Sequence, residues 1–375
     1  MKKISIAAVA LALVASTVTM APAQAATVTA AKATVLAECK TLNEVAKKKG
    51  ADGSDLKCLK ATVGSMKGKQ VWSYATLPVL SSLEMVVPGS STSGFGGFGQ
   101  AVVAALKAEG LVKTEPTLTY KSGTGNVVGL TYMIKDLAGK AGKIGVTGFA
   151  QVGGTATVAN YRYRVTDATP VARMYREFSG IAVKADSKYL TLADLIKDIK
   201  ADPAAVKVVA ANKGGIDHFL ANKFYQELGV GIDKLNYTVN NGGQVAALIS
   251  DAAYSFAISS YGDLIDNEKA GKIRILAVTA PTRIPGTTTK TLKEQGVNLV
   301  LENWRGLILP PNTAPAGKAL VIRALDIVNA SASYKTYLSD SKAYSFFLPA
   351  PAFNTWLNTE QNRITNLWDD VNFSQ

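Results

Sequence analysis

Histidine is almost missing from this 375-residue chain, which has only His218, and cysteine stops at two, Cys39 and Cys58. A Ser-His-Asp triad would have to use His218, and no Gly-x-Ser-x-Gly elbow accompanies it. There is no His-Glu-x-x-His and no cluster of metal-ligand residues, so neither a metal nor a cofactor is expected. Acidic residues are also scarce: 28 Asp and Glu stand against 41 Lys and Arg, a formal net charge of +13. The basic residues are spread along the chain, with no stripe interleaved with aromatics, which argues against nucleic acid and leaves anionic solutes or envelope polymers. Beyond the first 25 residues no apolar run approaches membrane-spanning length.

Residues 1–25 read as a signal peptide. Lys2 and Lys3 form the charged region, Ile4 to Thr17 the apolar region, and Ala23-Gln24-Ala25 the cleavage site, with the mature chain starting at Ala26. The run is too short for a good membrane anchor. Removing the two lysines lowers the formal charge to +11, and the product is expected to be exported to the periplasm or cell envelope. In an exported protein Cys39 and Cys58 are expected to form one local disulfide. Leu36-Ala37-Glu38-Cys39 faintly resembles a lipoprotein box, which would instead leave Cys39 lipidated. Residues 26–70 form a lysine-rich N-terminal extension without an assigned role.

From Val71 onward the chain alternates apolar strands with helices, the pattern of an α/β fold with a mainly parallel sheet. Glycine-rich or small polar loops recur between strand and helix. Leu83 to Val87 is followed by Pro88-Gly89, then Ser90-Ser91-Thr92-Ser93-Gly94, then the helix from Gln100. Thr117 to Tyr120 precedes Ser122, Thr124 and Asn126, and Lys143 to Thr147 precedes Gly148. A second series near Ala172 repeats the arrangement: Val206 to Ala210 before Lys213 and Gly214, Leu235 to Val239 before Asn240 and Asn241, and Ala253 to Ile258 before Ser259. Thr191 with Asp194 three residues on predicts a capped helix. Free amides and the positive end of a helix favour an anion at such loops, and ligands of α/β sheets sit at the carboxyl ends of the strands.

Several segments in order resemble the receptors of the tripartite tricarboxylate transporters, also called Bug-type receptors. They are Val86-Val87-Pro88-Gly89, Ser122-Gly123-Thr124-Gly125-Asn126, Val183-Lys184-Ala185-Asp186-Ser187 with Thr191-Leu192-Ala193-Asp194-Leu195, Lys269 to Thr279 with Arg283, Trp304-Arg305-Gly306-Leu307, and Pro310 to Pro315. The resemblance implies a bilobed type II periplasmic-binding-protein fold, two doubly wound sheets joined by two hinge crossings. Lobe 1 would comprise 71–171 and 273–375, and lobe 2 would comprise 172–272, with the strand at 273–279 beginning the return. It also implies a small di- or tricarboxylate held by amides, hydroxyls and water rather than by arginine, membrane permease subunits as partners, and no catalysis; a monomer is expected.

The expected ligand-binding residues are Ser90, Ser91, Thr92, Ser93, Gly94, Ser122, Thr124, Asn126, Thr147, Gly148, Lys213, Gly214, Asn240, Asn241 and Ser259. His218 is expected to be packed, and Phe95 and Phe98 either wall the ligand or cap the lobe. The first loop departs from the family's compact Pro-Gly-Gly-Gly-x-Asp, and Lys213 and Asp217 stand where small residues are common. A secreted structural or envelope-binding protein on the same fold is the rival reading, and an enzyme on a bilobed fold is the weaker one.

Overall fold

The alternation of apolar strands and capped helices is realised around one long strand that belongs to both halves of a sheet. The computed structural model describes residues 27–370 except 159, 212–214 and 241–242. The expected signal peptide, Lys213, Gly214 and Asn241 therefore lie outside the described residues.

At the amino end β1 (Leu56–Lys60) pairs antiparallel with β2 (Gln70–Tyr74). Cys39 and Cys58 are joined as expected, with their Cα atoms 5.8 Å apart. β2 pairs with β1 and, at Val71, with Glu38, so among the described residues it belongs with the N-terminal unit.

The first half of the main sheet comes from β3 (Glu84–Val87), β4 (Thr117–Tyr120) and β5 (Lys143–Gly148), with β3 lying parallel between the other two. The intervening helices are α1 (Gly94–Ala108), α2 (Val127–Lys135) and α3 (Phe149–Thr157). Then β6 (Thr169–Lys184) runs for sixteen residues, buried over most of its length. The second half alternates α4 (Leu192–Ala201), β7 (Val208–Ala210), α5 (Ile216–Glu227), β8 (Tyr237–Val239), α6 (Gln244–Ser250), β9 (Phe256–Ser260) and α7 (Tyr261–Lys269). The expected capping of α4 is present: Asp194 N–H donates to Thr191 Oγ1 at 3.3 Å and Thr191 N–H to Asp194 Oδ2 at 2.8 Å. The chain closes with β10 (Ile273–Val278), β11 (Glu302–Leu309), α8 (Pro315–Ala330), α9 (Ala332–Asp340), β12 (Tyr344–Pro349) and α10 (Ala352–Asp370).

The expectation that the strand at 273–279 begins the return to the first half is not met. β10 pairs antiparallel with Gly180–Lys184 of β6, in the second half. Only a short turn, 270–272, separates it from α7, and its Ile273, Ile275 and Val278 pack with Leu264 of that helix. The return is made by β11, which pairs with both β5 and the first part of β6. Fully buried Thr279 ties the two crossings together: its Oγ1 accepts from Ser179 N–H at 3.1 Å and donates to Leu301 O at 2.7 Å.

The N-terminal unit docks on α8. Tyr74 donates to Asp326 Oδ2 at 2.6 Å, Ala51 N–H donates to the same oxygen at 3.2 Å, and Arg323 pairs with Asp52 at 3.0 Å. Burial raises the Asp326 carboxyl, and burial beside that carboxylate pushes the Tyr74 phenol well above its ordinary value. Trp72 and Cys58 share one apolar cluster with Val102, Val321 and Leu325. Asp326→Ala leaves the Tyr74 hydroxyl proton without its acceptor, a loss of about 1–3 kcal/mol, while the Ala51 amide keeps its bond to Tyr74 Oη at 2.9 Å. Amide exchange is expected to speed up across 27–75 while β3 and β5 keep their protection; unchanged exchange in the extension would contradict this docking.

Candidate functional site

Parallel pairing places the loops after β3, β4 and β5 on one edge. β11 runs antiparallel to both β5 and β6, so β6 points the same way as β5 and leaves the first half at that edge, where Gly148, Arg305 and Tyr175 lie side by side. A few residues further, Ser179 and Gly180 of β6 pair with Ser260 and Ser259, the carboxyl end of β9. β7 is parallel to β8 and β9, so the loops after all three open toward the first half. Six strand ends thus face one seam, spanned by Arg176 to Phe178, about 10 Å of extended chain. Phe149 and Phe219 touch across it, with ring centroids 5.7 Å apart.

On the first side, β3 stops at Pro88-Gly89 and Ser93 caps α1, accepting from Gly96 N–H at 3.1 Å. Ser93 also donates to Ser90 O at 2.7 Å, so its hydroxyl organises the loop. Ser90, Ser91, Thr92 and Gly94 are exposed at the mouth. Gln100 steadies the loop from α1, donating to Ser91 O and Tyr120 Oη, each at 3.0 Å. Phe95 and Phe98 are buried core residues, with Phe98 edge-on to Tyr175 at 5.3 Å.

Ser122 and Thr124 are exposed on the second loop, and Asn126 is half-buried with φ 59°. Gln151 of α3 joins that loop to the third, donating to Asn126 O at 3.0 Å. Thr147 is fully buried in β5, and its hydroxyl has no partner among the described residues. Gly148 admits β11 closely: a Cβ there would lie 2.5 Å from Trp304 O and 3.0 Å from Arg305 Cδ.

Arg305 is the main residue that sequence reasoning missed at this edge. It is only 7% exposed and stacks 4.5 Å over Phe95. It donates to Trp304 O at 3.1 Å and to Asn303 Oδ1, while its Nη2 lies 4.0 Å from Glu177 Oε1. Its Nε is buried without a partner among the described residues, and a Cβ on Gly94 would stand 3.2 Å from its Nη2. The segment Trp304-Arg305-Gly306 was visible, but only the register of β11 against β5 brings the guanidinium to the loops.

Among the described residues, the second side carries three acidic groups, Asp217, Asp263 and Glu177. Ser259, fully buried, donates to Asp263 Oδ2 at 3.0 Å and accepts from Gln244 Nε2 at 2.9 Å. Asn240 extends the strand pairing, its N–H donating to Ala210 O at 2.8 Å. Asp217 is 5% exposed, and burial, with the neighbouring charges of Asp263 and Glu177, pushes its carboxyl up to about 7 against the pull of the Ala211 amide. Burial also raises Glu177, with Asp263 adding to the effect and Arg305 and Asn303 opposing it. These three carboxylates converge from β6, α5 and α7, which correlates with nothing local in the sequence. His218 packs against Tyr237, with centroids 4.7 Å apart. Among the described residues no group of three or more His, Cys, Asp or Glu could hold a metal ion.

The fold and the facing strand ends are those of the type II periplasmic-binding class. A TctC solute-binding protein from Polaromonas superposes with a TM-score of 0.64 at 19% identity, over 77% of this chain and 98% of that one. The malate-bound MatC protein of Rhodopseudomonas palustris gives 0.61 at 17%, over 76% and 98%. An adipate-bound protein of R. palustris gives 0.64 at 18%, over 78% and 97%. These neighbours are covered almost end to end while this chain is not. No curated protein matches. The model of the tripartite tricarboxylate transporter family receptor, TctC, matches residues 105–372, and the chain belongs to that family. The match begins after the loop that follows β3, the segment that departs from the family pattern.

Proposed function

We propose that this receptor captures a small organic carboxylate between two lobes and delivers it to the membrane subunits of a tripartite transporter, without chemical turnover. The carrying observation is the convergence of six strand ends on one seam, with Arg305 beside Gly94 and Gly148. The lobes are the two half-sheets with their helices, hinged where β6 and the 279–302 segment cross at Ser179, Thr279 and Leu301. Malate in one neighbour and adipate in another support a carboxylate as ligand. Among the described residues no helix is long and apolar enough to cross a membrane.

Each bond from an amide, hydroxyl or guanidinium to a charged carboxylate contributes about 1.5–3 kcal/mol net. Roughly three or four of them, less the association cost, reach micromolar affinity. Closure excludes water from the ligand and favours molecules that touch both sides.

The test is a thermal-shift screen of the mature chain against malate, adipate, citrate, phosphate and amino acids. A saturable rise for at least one organic acid is expected, since a ligand of the folded state stabilises it by mass action. Gly94→Leu, at an exposed helix start, is expected to weaken that ligand at least tenfold and to leave the unliganded melting temperature within a few degrees. No shift with any organic acid would remove carboxylate capture.

A further inference from the structure

The seam carries opposite charges on its two sides. The first side offers hydroxyls, helix-start amides and Arg305. The second side brings Asp217, Asp263 and Glu177 close enough for each to feel another's charge. Arg305 is the cation facing Glu177 among the described residues, and its guanidinium is already held by Asn303 and Trp304 O.

Gln244 supplies an independent observation. Ser259 gives its hydroxyl proton to Asp263, so the Gln244 amide must donate to Ser259, which turns Oε1 away as an acceptor. That oxygen is buried, on a residue only 7% exposed, and has no partner among the described residues. A buried acceptor of this kind needs a donor. Asp263 beside it is exposed and open to a ligand. An ammonium group has three donors and a positive charge, which suits a carbonyl oxygen next to carboxylates. Among the described residues, a second ligand carboxylate at this point would meet the Gln244 oxygen and like charge from Asp263 and Glu177.

We propose that the ligand is an amino-carboxylate laid across the seam, its carboxylate on the Gly94 and Arg305 side and its ammonium on Asp263, Glu177 and Gln244 Oε1. The proposal rests on the reading of the seam as a carboxylate site and narrows its ligand class. A tripartite receptor so built would discriminate between an amine and an acid at the far end of one carbon chain.

The experiment is calorimetric titration of the mature chain at neutral pH with pairs of matched length: 4-aminobutanoate and succinate, 5-aminopentanoate and glutarate, 6-aminohexanoate and adipate, with a set of α-amino acids. At least one amino-carboxylate is expected to bind tenfold or more tightly than any dicarboxylate. Asp263→Asn and, separately, Glu177→Gln are expected to reduce that preference at least tenfold; Glu177→Gln keeps an oxygen for the Asn303 amide and guards against a folding defect at Asp263. Dicarboxylate binding equal to or tighter than that of the amino-carboxylates would overturn the inference and leave the receptor reading standing. An unchanged preference in both variants would also overturn it. Absence of binding by either class would overturn the carboxylate reading itself.

Discussion

Glu302→Gln is expected to lower the unfolding free energy by about 3–5 kcal/mol, the cost of removing one partner from a buried ion pair. Glu302 opens β11 and pairs in register with Phe178 of β6, at the crossing between the halves. Its carboxylate accepts from Arg173 Nη2 and from Arg176 Nη1, the latter at 2.9 Å. Arg173 is only 1% exposed and lies between the rings of Phe346 and Trp356, 4.2 and 4.3 Å from their centroids. Burial lowers the Arg173 guanidinium from its ordinary value, and the charge of Glu302 opposes that shift. Glutamine keeps an acceptor but not the charge, so a buried cation loses its main counter-ion. Arg176 is less affected because its side chain reaches solvent. Urea unfolding midpoints measure the effect; a loss under about 1 kcal/mol would mean that the aromatic rings alone carry Arg173.

Asp217→Asn is expected to stabilise the protein above neutral pH and to change nothing in strong acid. The folded carboxyl titrates at about 7 against an ordinary value of 3.8. Between those values the native state holds a proton that the unfolded chain has released, so stability falls as pH rises from about 4 to 7. Asparagine keeps an acceptor for the Ala211 amide and removes the ionisation. The variant should therefore gain on the parent progressively across that window, to at most about 4 kcal/mol at pH 8, at 1.36 kcal/mol per unit. Glu177 titrates in the same direction and remains in both proteins, so the difference between them reports Asp217. Melting temperatures from pH 4 to pH 8 test this. A difference that does not vary with pH would show that Asp217 is ionised throughout.

The alternation of strands, the Thr191–Asp194 cap, the disulfide and the loops at the carboxyl ends were legible because each is a local pattern: an apolar run, a capping pair, a cysteine count in an exported chain, a glycine-rich turn. β6 was legible only at Ile181 to Val183. Upstream, Arg173, Arg176 and Glu177 interrupt its apolar pattern, and they are tolerated in a buried strand because Glu302 and Asn303 meet them from a distant segment. The same non-local pairing hid the acidic side of the seam. Asp217 stood out in the sequence as a departure from the small residues common there, and Asp263 belonged to no motif; their shared environment arises where α5 and α7 meet β6. Arg305 was within a segment already singled out, but its position beside Gly148 depends on which strand stands next to it. Ser93 illustrates the converse: a hydroxyl in the right loop whose bonds serve the helix itself.

The most direct test of ligand capture at the seam is amide hydrogen exchange of the mature chain with and without the organic acid that gives the largest thermal shift. Slower exchange is expected in the loops after β3, β4 and β5 and also at the starts of α6 and α7, on the other half. Protection confined to the cavity of about 530 Å³ lined by Lys184, Lys188, Tyr189, Asp198 and Ser255, at the opposite end of the second half-sheet, would contradict the account, as would protection of neither region.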